Sequence, residues 1–297
     1  MFSRAVVIGT GLMGPGIAMA LADAGLSVTI AGRNTENARR AALAAAKLGA
    51  GGIEIQHSNI GAEVFRDVDL VVETIVEDLS VKTELFERID PWIAPSTVIT
   101  TNTSSLPLDV LAESTSRPSL VAGLHFLNPA QLTSVVEVVA SRTTGQHVMK
   151  RLTRLAEDMG KLPVRVNRPV PGFVWNRIQF AVLRECVHLL EDGVTDAASI
   201  DAAVADGLAP RWMAAGPLAT ADLGGSSTFG VIALELFGSL ADGAAVPGPL
   251  GRGESFYEWD AETREAVNQL RFEALRKGRE LAHRRRRTMP LSRTANS

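Results

Sequence analysis

A glycine-rich turn near the start of the chain constrains its fold more than any other feature of the sequence. Residues 9–14 read GTGLMG, the G-x-G-x-x-G pattern, between an apolar run at 5–8 and an alanine-rich helical pattern at 17–24. In this setting the first glycine permits a tight turn, the second lets the backbone approach a pyrophosphate, and the third allows close helix-to-strand packing. The pattern therefore predicts a dinucleotide site that includes Gly9, Gly11, Leu12, Met13 and Gly14.

Apolar runs and helical patterns alternate through the first part of the chain. Strands are predicted at 5–8, 26–30, 70–72, 98–100, 120–124 and 135–139, and helices at 37–47, 81–89, 108–113 and 146–159. Continuous apolar strands that alternate with helices indicate an α/β fold with a mainly parallel sheet of the Rossmann type, covered on both faces.

The pattern changes after a proline-rich segment at 167–172. Helical patterns follow at 173–191, at 195–206 with Thr195 as a candidate N-cap, and at 261–287, with little strand signal between them. We therefore predict a dinucleotide-binding domain over residues 1–168 and an all-helical domain over residues 169–297.

Composition excludes several functional classes. Thirty basic and 33 acidic residues give a net charge of −3, which argues against a chain built to bind nucleic acid. The longest uncharged stretches contain Pro, Asn, Thr and Ser, so we expect no membrane-spanning segment. The single cysteine, Cys186, allows neither an internal disulfide nor a cysteine cluster, so we expect a cytoplasmic protein without a metal site.

The end of the second strand bears on the choice of cofactor. An NAD site usually has an Asp or Glu here to accept the ribose hydroxyls, but the sequence reads Ala31-Gly32-Arg33-Asn34. Arg33 could pair with a 2′-phosphate, for which Gly32 leaves room, or it could be a solvated loop cation. The missing acid and the present cation favour NADP slightly over NAD.

Four motifs in order give the chain a family resemblance. TNTSSL at 101–106, GLHFLNP at 123–129, VEV at 136–138 and PGFVWNR at 171–177 resemble the 3-hydroxyacyl-CoA dehydrogenase family. The helical part, especially 173–193 and 206–218, is also similar to the lambda-crystallin and gulonate dehydrogenase branch, which acts on hydroxy acids without CoA. The resemblance implies a nicotinamide-dependent oxidoreductase whose helical domain binds substrate and pairs in a homodimer.

The resemblance also assigns catalytic roles. His125 would be the general base that takes a proton from a secondary hydroxyl, and Glu137 would orient and polarise its imidazole. Ser104 and Asn176 match positions that hydrogen-bond the reacting oxygen or the thioester carbonyl. The alternatives are a turn serine for Ser104, a helix-start residue for Asn176, and a solvent-facing edge carboxylate for Glu137.

Four further residues match family positions around the nicotinamide ribose. These are Glu77, Lys82, Asn102 and Asn128. Their alternative interpretation is a surface ion pair and two loop amides.

The chain also departs from the family in two places. It has one main helical pattern between Arg33 and Phe65, where CoA-dependent members insert a longer helical excursion that helps bind CoA. Residues 130–135 lack the Met-Lys pair commonly seen there. Three hypotheses follow: a dehydrogenase of a 3-hydroxyacyl thioester on CoA or an acyl carrier protein, a dehydrogenase of a free hydroxy acid, and a non-catalytic, crystallin-like cofactor-binding protein.

The last helical pattern ends in a concentration of basic residues. They are Arg276, Lys277, Arg279 and the four arginines at 284–287. Such cations suit a helix C-terminus and a solvated tail, or they dock an acidic partner such as a carrier protein.

Overall fold

The structure is a computed structural model that describes residues 1–49, 54–237, 240 and 260–288. The chain divides into two compact units, Met1–Arg177 and Ile178–Ser297. The domain limits inferred from the sequence, 1–168 and 169–297, stay a prediction.

The first unit is built on one eight-stranded sheet. Its strands are β1 (Arg4–Ile8), β2 (Ser27–Gly32), β3 (Gln56–Asn59), β4 (Leu70–Glu73), β5 (Val98–Thr101), β6 (Val121–Phe126), β7 (Val135–Ala140) and β8 (Leu162–Val166). Their order is β3-β2-β1-β4-β5-β6-β7-β8, and every neighbouring pair is parallel except β6 and β7. The predicted mainly parallel sheet is confirmed.

Helices cover both faces of this sheet. They are α1 (Gly14–Asp23), α2 (Thr35–Leu48), α3 (Leu79–Ile89), α4 (Leu108–Glu113) and α5 (Gln146–Asp158). Alternate side chains of β1 enter different cores: Ala5 and Val7 join the core under α1, α2 and α5, whereas Val6 and Ile8 join the core under α3 and α4. Burial on both faces explains why these strands are continuously apolar.

The strand order reverses between β1 and β4, and this reversal positions the cofactor site. From β1 the chain builds outward through β2 and β3, then returns to place β4 on the other side of β1. The loops after β1 and β4 diverge here, which opens a crevice at the carboxyl ends of the strands. The glycine turn follows β1 and therefore lies at this crevice.

The second unit is helical in its described residues. After α6 (Trp175–Glu191) come α7 (Ala197–Ala202), a π-helical stretch (Ala203–Leu208), α8 (Ala209–Ala215), α9 (Pro217–Leu223), α10 (Ser226–Leu236) and α11 (Ala261–Thr288). The prediction of Thr195 as N-cap is wrong, because the side chain of Asp196 accepts the amide hydrogen of Ser199 at 2.7 Å. Within the described part of the chain, no helix combines the length and apolar character needed to cross a membrane.

Candidate active site and cofactor cavity

Glycine is required at each of the three motif positions for a different structural reason. Gly9 has φ +138°, and a Cβ there would collide with the carbonyl of Thr74 after β4. A Cβ on Gly14 would collide with the carbonyl of Gly9. A Cβ on Gly11 would meet no protein atom within 4 Å, so this glycine leaves space for a ligand rather than for the fold.

A cavity of about 680 Å³ opens at this turn. It is lined by Gly9, Gly11, Leu12, Met13, Arg33, Glu77, Lys82, Asn102 and Ser104, among others. Two of the predicted cofactor residues, Gly14 and Asn128, lie outside the lining. Asn128 is exposed and is joined to Pro129 by a cis peptide bond. The open face of Gly11 and the start of α1 fit a bound pyrophosphate.

Arg33 and Gly32 lie together at the end of β2. Arg33 is exposed and lines the cavity. A Cβ on Gly32 would come within 2.7 Å of Thr10 Cγ2, so packing against the glycine turn is a structural reason for this glycine. Asn34 accepts the amide hydrogen of Asn37 at 3.0 Å and caps α2.

His125 and Glu137 meet because β6 and β7 are antiparallel and in register. The two residues are directly paired across the strands, so their side chains project from the same face of the sheet. His125 Nδ1 lies 2.6 Å from Glu137 Oε2, and both side chains are buried. On the other side of the ring, Ser104 Oγ lies 3.3 Å from His125 Nε2. Solvent exposure of Glu137 at an edge is therefore excluded.

The second oxygen of Glu137 binds the start of α6. Oε1 accepts the amide hydrogens of Val174 and Trp175 at 2.8 and 2.9 Å. Burial would raise the pKa of Glu137, but the hydrogen bonds from His125 and from these amides outweigh it and hold the pKa below its ordinary value. Glu137 is thus ionised at neutral pH.

Phe173 and Asn176 flank this contact. Phe173 is buried with φ +45°, and its ring meets the imidazole of His125 edge-on at 5.5 Å between centroids. Asn176 follows Trp175 in the first turn of α6 and is half-buried. Among the described residues no hydrogen bond joins Asn176 to Ser104 or His125.

Glu77 and Lys82 belong to a network whose deepest member, Glu73, is not among the residues predicted from the sequence. Lys82 Nζ lies 2.6 Å from Oε1 of Glu73, the last residue of β4, and 3.4 Å from Oε2 of Glu77. Glu73 and Lys82 are almost fully buried, whereas Glu77 is partly exposed. A carboxylate at the end of the apolar run LVVE is the signal that could have found Glu73, because a charge there requires a partner.

Asn102 connects the ends of three strands. Its side-chain oxygen accepts the backbone amide hydrogen of Phe126 at 2.7 Å, and its backbone N–H donates to the carbonyl oxygen of Glu73 at 2.8 Å. These bonds fix Asn102 in the cavity wall beside the residue that follows His125. In the part of the chain that the structure describes, no cluster of His, Cys, Asp and Glu side chains could hold a metal ion.

A glycine turn at a sheet-order reversal, close to a histidine oriented by a carboxylate, is the arrangement of a nicotinamide-dependent dehydrogenase. The sequence model of the 3-hydroxyacyl-CoA dehydrogenase NAD binding domain matches residues 4–169, and that of the 3-hydroxyacyl-CoA dehydrogenase C-terminal domain matches residues 172–252. The chain therefore belongs to the 3-hydroxyacyl-CoA dehydrogenase family and is an NAD-binding oxidoreductase.

Individual relatives differ in the substrate that their names give. A 5-formyl-3-hydroxy-2-methylpyridine 4-carboxylate 5-dehydrogenase of Mesorhizobium japonicum is 35% identical over 76% of this chain and 77% of its own. A probable 3-hydroxybutyryl-CoA dehydrogenase of Bacillus subtilis is 34% identical over 87% of this chain and 98% of its own. A crystal structure of the former kind of enzyme, described as an NAD+ dependent dismutase, has a TM-score of 0.86 at 28% identity and covers 96% of this chain and 98% of its own.

Proposed function

We propose that this protein interconverts the secondary alcohol and the ketone of a 3-hydroxyacyl thioester, carried by CoA or by an acyl carrier protein, with a nicotinamide cofactor. The supporting observation is the continuous contact from Ser104 Oγ to His125 Nε2 at 3.3 Å and from His125 Nδ1 to Glu137 at 2.6 Å. A hydroxyl, an imidazole and a buried carboxylate in this order form an arrangement that supports general acid–base catalysis.

The direction of the hydrogen bonds assigns the role of each atom. Ionised Glu137 only accepts, so Nδ1 of His125 carries the hydrogen and the neutral ring has its lone pair on Nε2. Nε2 accepts the proton of a substrate hydroxyl held by Ser104, and Glu137 stabilises the imidazolium that forms. In the reverse direction the imidazolium returns this proton to the substrate oxygen. Asn176 supplies an amide for the substrate carbonyl.

The cavity residues would hold the cofactor. The amides of the glycine turn would bind the pyrophosphate, while Glu77, Lys82 and Asn102 would surround the nicotinamide ribose, together with Asn128 from outside the cavity lining. When bound, the nicotinamide accepts the hydride that leaves the substrate carbon.

The proposed cofactor preference is a modest one for NADP over NAD. Its support is exposed Arg33 in the cavity lining, at a strand end without a carboxylate. Replacing Arg33 by Gln should lower kcat/KM for NADP about 10-fold and leave that for NAD nearly unchanged, as expected for one lost charged contact. Arg40→Gln, an exposed cation on α2, is the control. An unchanged kcat/KM for NADP in Arg33→Gln would refute the preference.

A free acid is the second candidate substrate. Between β2 and β3 the structure describes α2 alone as regular structure, where CoA-dependent members of the family have a longer helical excursion. The relative with the TM-score of 0.86 is named for a pyridine carboxylic acid rather than a thioester. Both observations favour a dehydrogenase that does not bind CoA.

One substrate panel separates these candidates. Hydride transfer is measured with an acyl-CoA, the same acyl group on a carrier protein, and the free hydroxy acid, each with NAD and NADP. Turnover confined to the free acid would rule out the thioester. Turnover confined to the carrier-bound form would exclude the CoA substrate.

A variant of His125 tests the proposed general base. His125→Ala should lower kcat by about 100- to 10,000-fold while cofactor affinity is kept, because only the proton acceptor is lost. His57→Ala, an exposed histidine on β3, is the control. An unchanged kcat would overturn the proposed base.

The proposed assembly is a homodimer formed through the helical unit. Val231, Leu234 and Leu236 of α10 are exposed in the single chain, and Leu234 is 88% exposed. Light scattering should give a dimer mass for wild type and a monomer mass for Leu234→Glu. Leu43→Glu on α2 is the control, and a monomeric wild type would contradict the proposal.

The basic end of α11 is proposed to dock an acidic carrier protein. Arg276, Lys277 and Arg284 are exposed, while the side chains of the three arginines at 285–287 lie outside the described residues. Arg276→Glu with Lys277→Glu should weaken binding of an acyl carrier protein, whereas Arg40→Glu should not. Equal affinities would leave the tail as a solvated helix end.

A further inference from the structure

A buried ion pair lies under the floor of the cofactor cavity. Glu73 accepts three hydrogen bonds: from Lys82 Nζ at 2.6 Å, from Thr101 Oγ1 at 2.6 Å and from the Ile75 amide at 2.6 Å. Neither Glu73 nor Lys82 is more than 1% exposed. Every oxygen of this carboxylate therefore has a donor, and Lys82 is fixed at the end of β4.

The position of Lys82 depends on how α3 begins. Asp78 caps the helix by accepting the amide hydrogen of Val81 at 3.0 Å. This cap starts α3 so that Lys82, in its first turn, turns back towards β4 and lies between Glu73 and Glu77. The ammonium is thus shared by a buried carboxylate and a partly exposed one.

Glu77 binds the loop after β5 through its other oxygen. Oε1 accepts hydrogen bonds from Thr103 Oγ1 at 2.6 Å, from the Ser104 amide at 2.8 Å and from the Ser105 amide at 3.2 Å. Burial would raise the pKa of Glu77, but these bonds and the charge of Lys82 hold the pKa below its ordinary value. The loop is therefore wrapped around an ionised carboxylate.

These contacts end at the proton-transfer site. The amide of Ser104 is bound by Glu77, and the hydroxyl of the same residue lies 3.3 Å from His125 Nε2. We propose that Glu77 and Lys82 are positioning residues for Ser104, with Glu73 as their buried anchor, in addition to lining the cofactor cavity. This inference rests on the catalytic use of Ser104 in the proposed function.

The consequence is a coupling between two parts of the site. A residue that only contacts the cofactor would change cofactor affinity and would act independently of Ser104. A residue that positions Ser104 would lower kcat, and its effect would vanish once the Ser104 hydroxyl is removed.

A double-mutant cycle distinguishes the two cases. Glu77→Gln keeps the shape and an acceptor oxygen but loses the charge that faces Lys82. We expect it to lower kcat, measured at saturating cofactor, about 10-fold, whatever change it makes in the Kd of NADH, which is measured separately by fluorescence. In the Ser104→Ala background the same substitution should change kcat less than about 2-fold. Glu87→Gln, an exposed carboxylate on the same helix, is the control.

A second variant tests the same coupling between Glu77 and Ser104 without removing a charge. Thr103→Val removes the hydroxyl that donates to Glu77 Oε1 and accepts the amide hydrogens of Ser105 and Leu106, and it should show the same dependence on Ser104. Independent, multiplicative effects of Glu77 and Ser104, or a raised NADH Kd with unchanged kcat, would overturn the inference while the proposed function stands. If Ser104→Ala alone leaves kcat unchanged, both the catalytic use of Ser104 and the inference fail, and loss of activity in His125→Ala still tests the dehydrogenase.

Discussion

Substitution of Glu137 should separate its structural role from its chemical one. In Glu137→Ala, the His125 ring and the amides of Val174 and Trp175 all lose their acceptor inside a buried site. The neutral imidazole and the two amides are left as donors without an acceptor, and each unsatisfied buried donor costs about 1–3 kcal/mol, so the unfolding free energy should fall by about 3–5 kcal/mol. Glu137→Gln keeps an oxygen for the two amides, so its cost should be smaller, about 1.5–3 kcal/mol, the range of one hydrogen bond to a charged group.

Glu137→Gln should affect catalysis much more strongly than it affects stability. In Glu137→Gln the side-chain amide nitrogen donates where the carboxylate accepted, so His125 must accept at Nδ1 and carry its hydrogen on Nε2. That tautomer cannot take a proton from the substrate, and kcat should fall about 1,000- to 10,000-fold in a protein that is still folded. Denaturant unfolding and steady-state kinetics measure the two effects. Equal stabilities for the Gln and Ala variants, or a Gln variant with wild-type kcat, would refute the assignment of the two oxygens.

Three further predictions concern the glycine turn, the dependence of stability on pH in the acid range, and the buried Lys161. Gly9→Ala should lower both Tm and cofactor affinity, because the added Cβ would collide with the backbone of Thr74. Gly11→Ala should keep the wild-type Tm and weaken only cofactor binding, because its Cβ meets no protein atom. Equal Tm values for the two variants would contradict this. The lowered pKa of Glu137 contributes stability that is complete above its ordinary value of 4.5 and is lost as pH falls through the folded value, so unfolding free energy should fall less steeply in acid for Glu137→Gln than for wild type. Lys161→Met should cost about 2–4 kcal/mol, because Nζ donates to two buried carbonyls at 2.6 and 2.7 Å, while exposed Lys150→Met should cost almost nothing.

Several parts of the site can be anticipated from local patterns. The glycine motif assigns Gly9 to a tight turn and Gly14 to close packing, and their backbone contacts give those reasons. Glu137 stands between two valines in an apolar strand, and the structure buries it beside His125. Gly32 has a structural reason that the sequence does not reveal, because its contact with Thr10 joins the end of β2 to the glycine turn and leaves no trace in the spacing.

Fold class and family follow from the sequence alone, because strand and helix periodicity, glycine positions and short motifs are properties of neighbouring residues. Which charges meet is set by tertiary packing. His125 contacts Glu137 through the antiparallel register of β6 and β7, and Glu73 becomes an anchor because α3 brings Lys82 back to the end of β4. Such contacts depend on strand register and helix docking, and a shift of one residue in register would turn the same side chains to the opposite face.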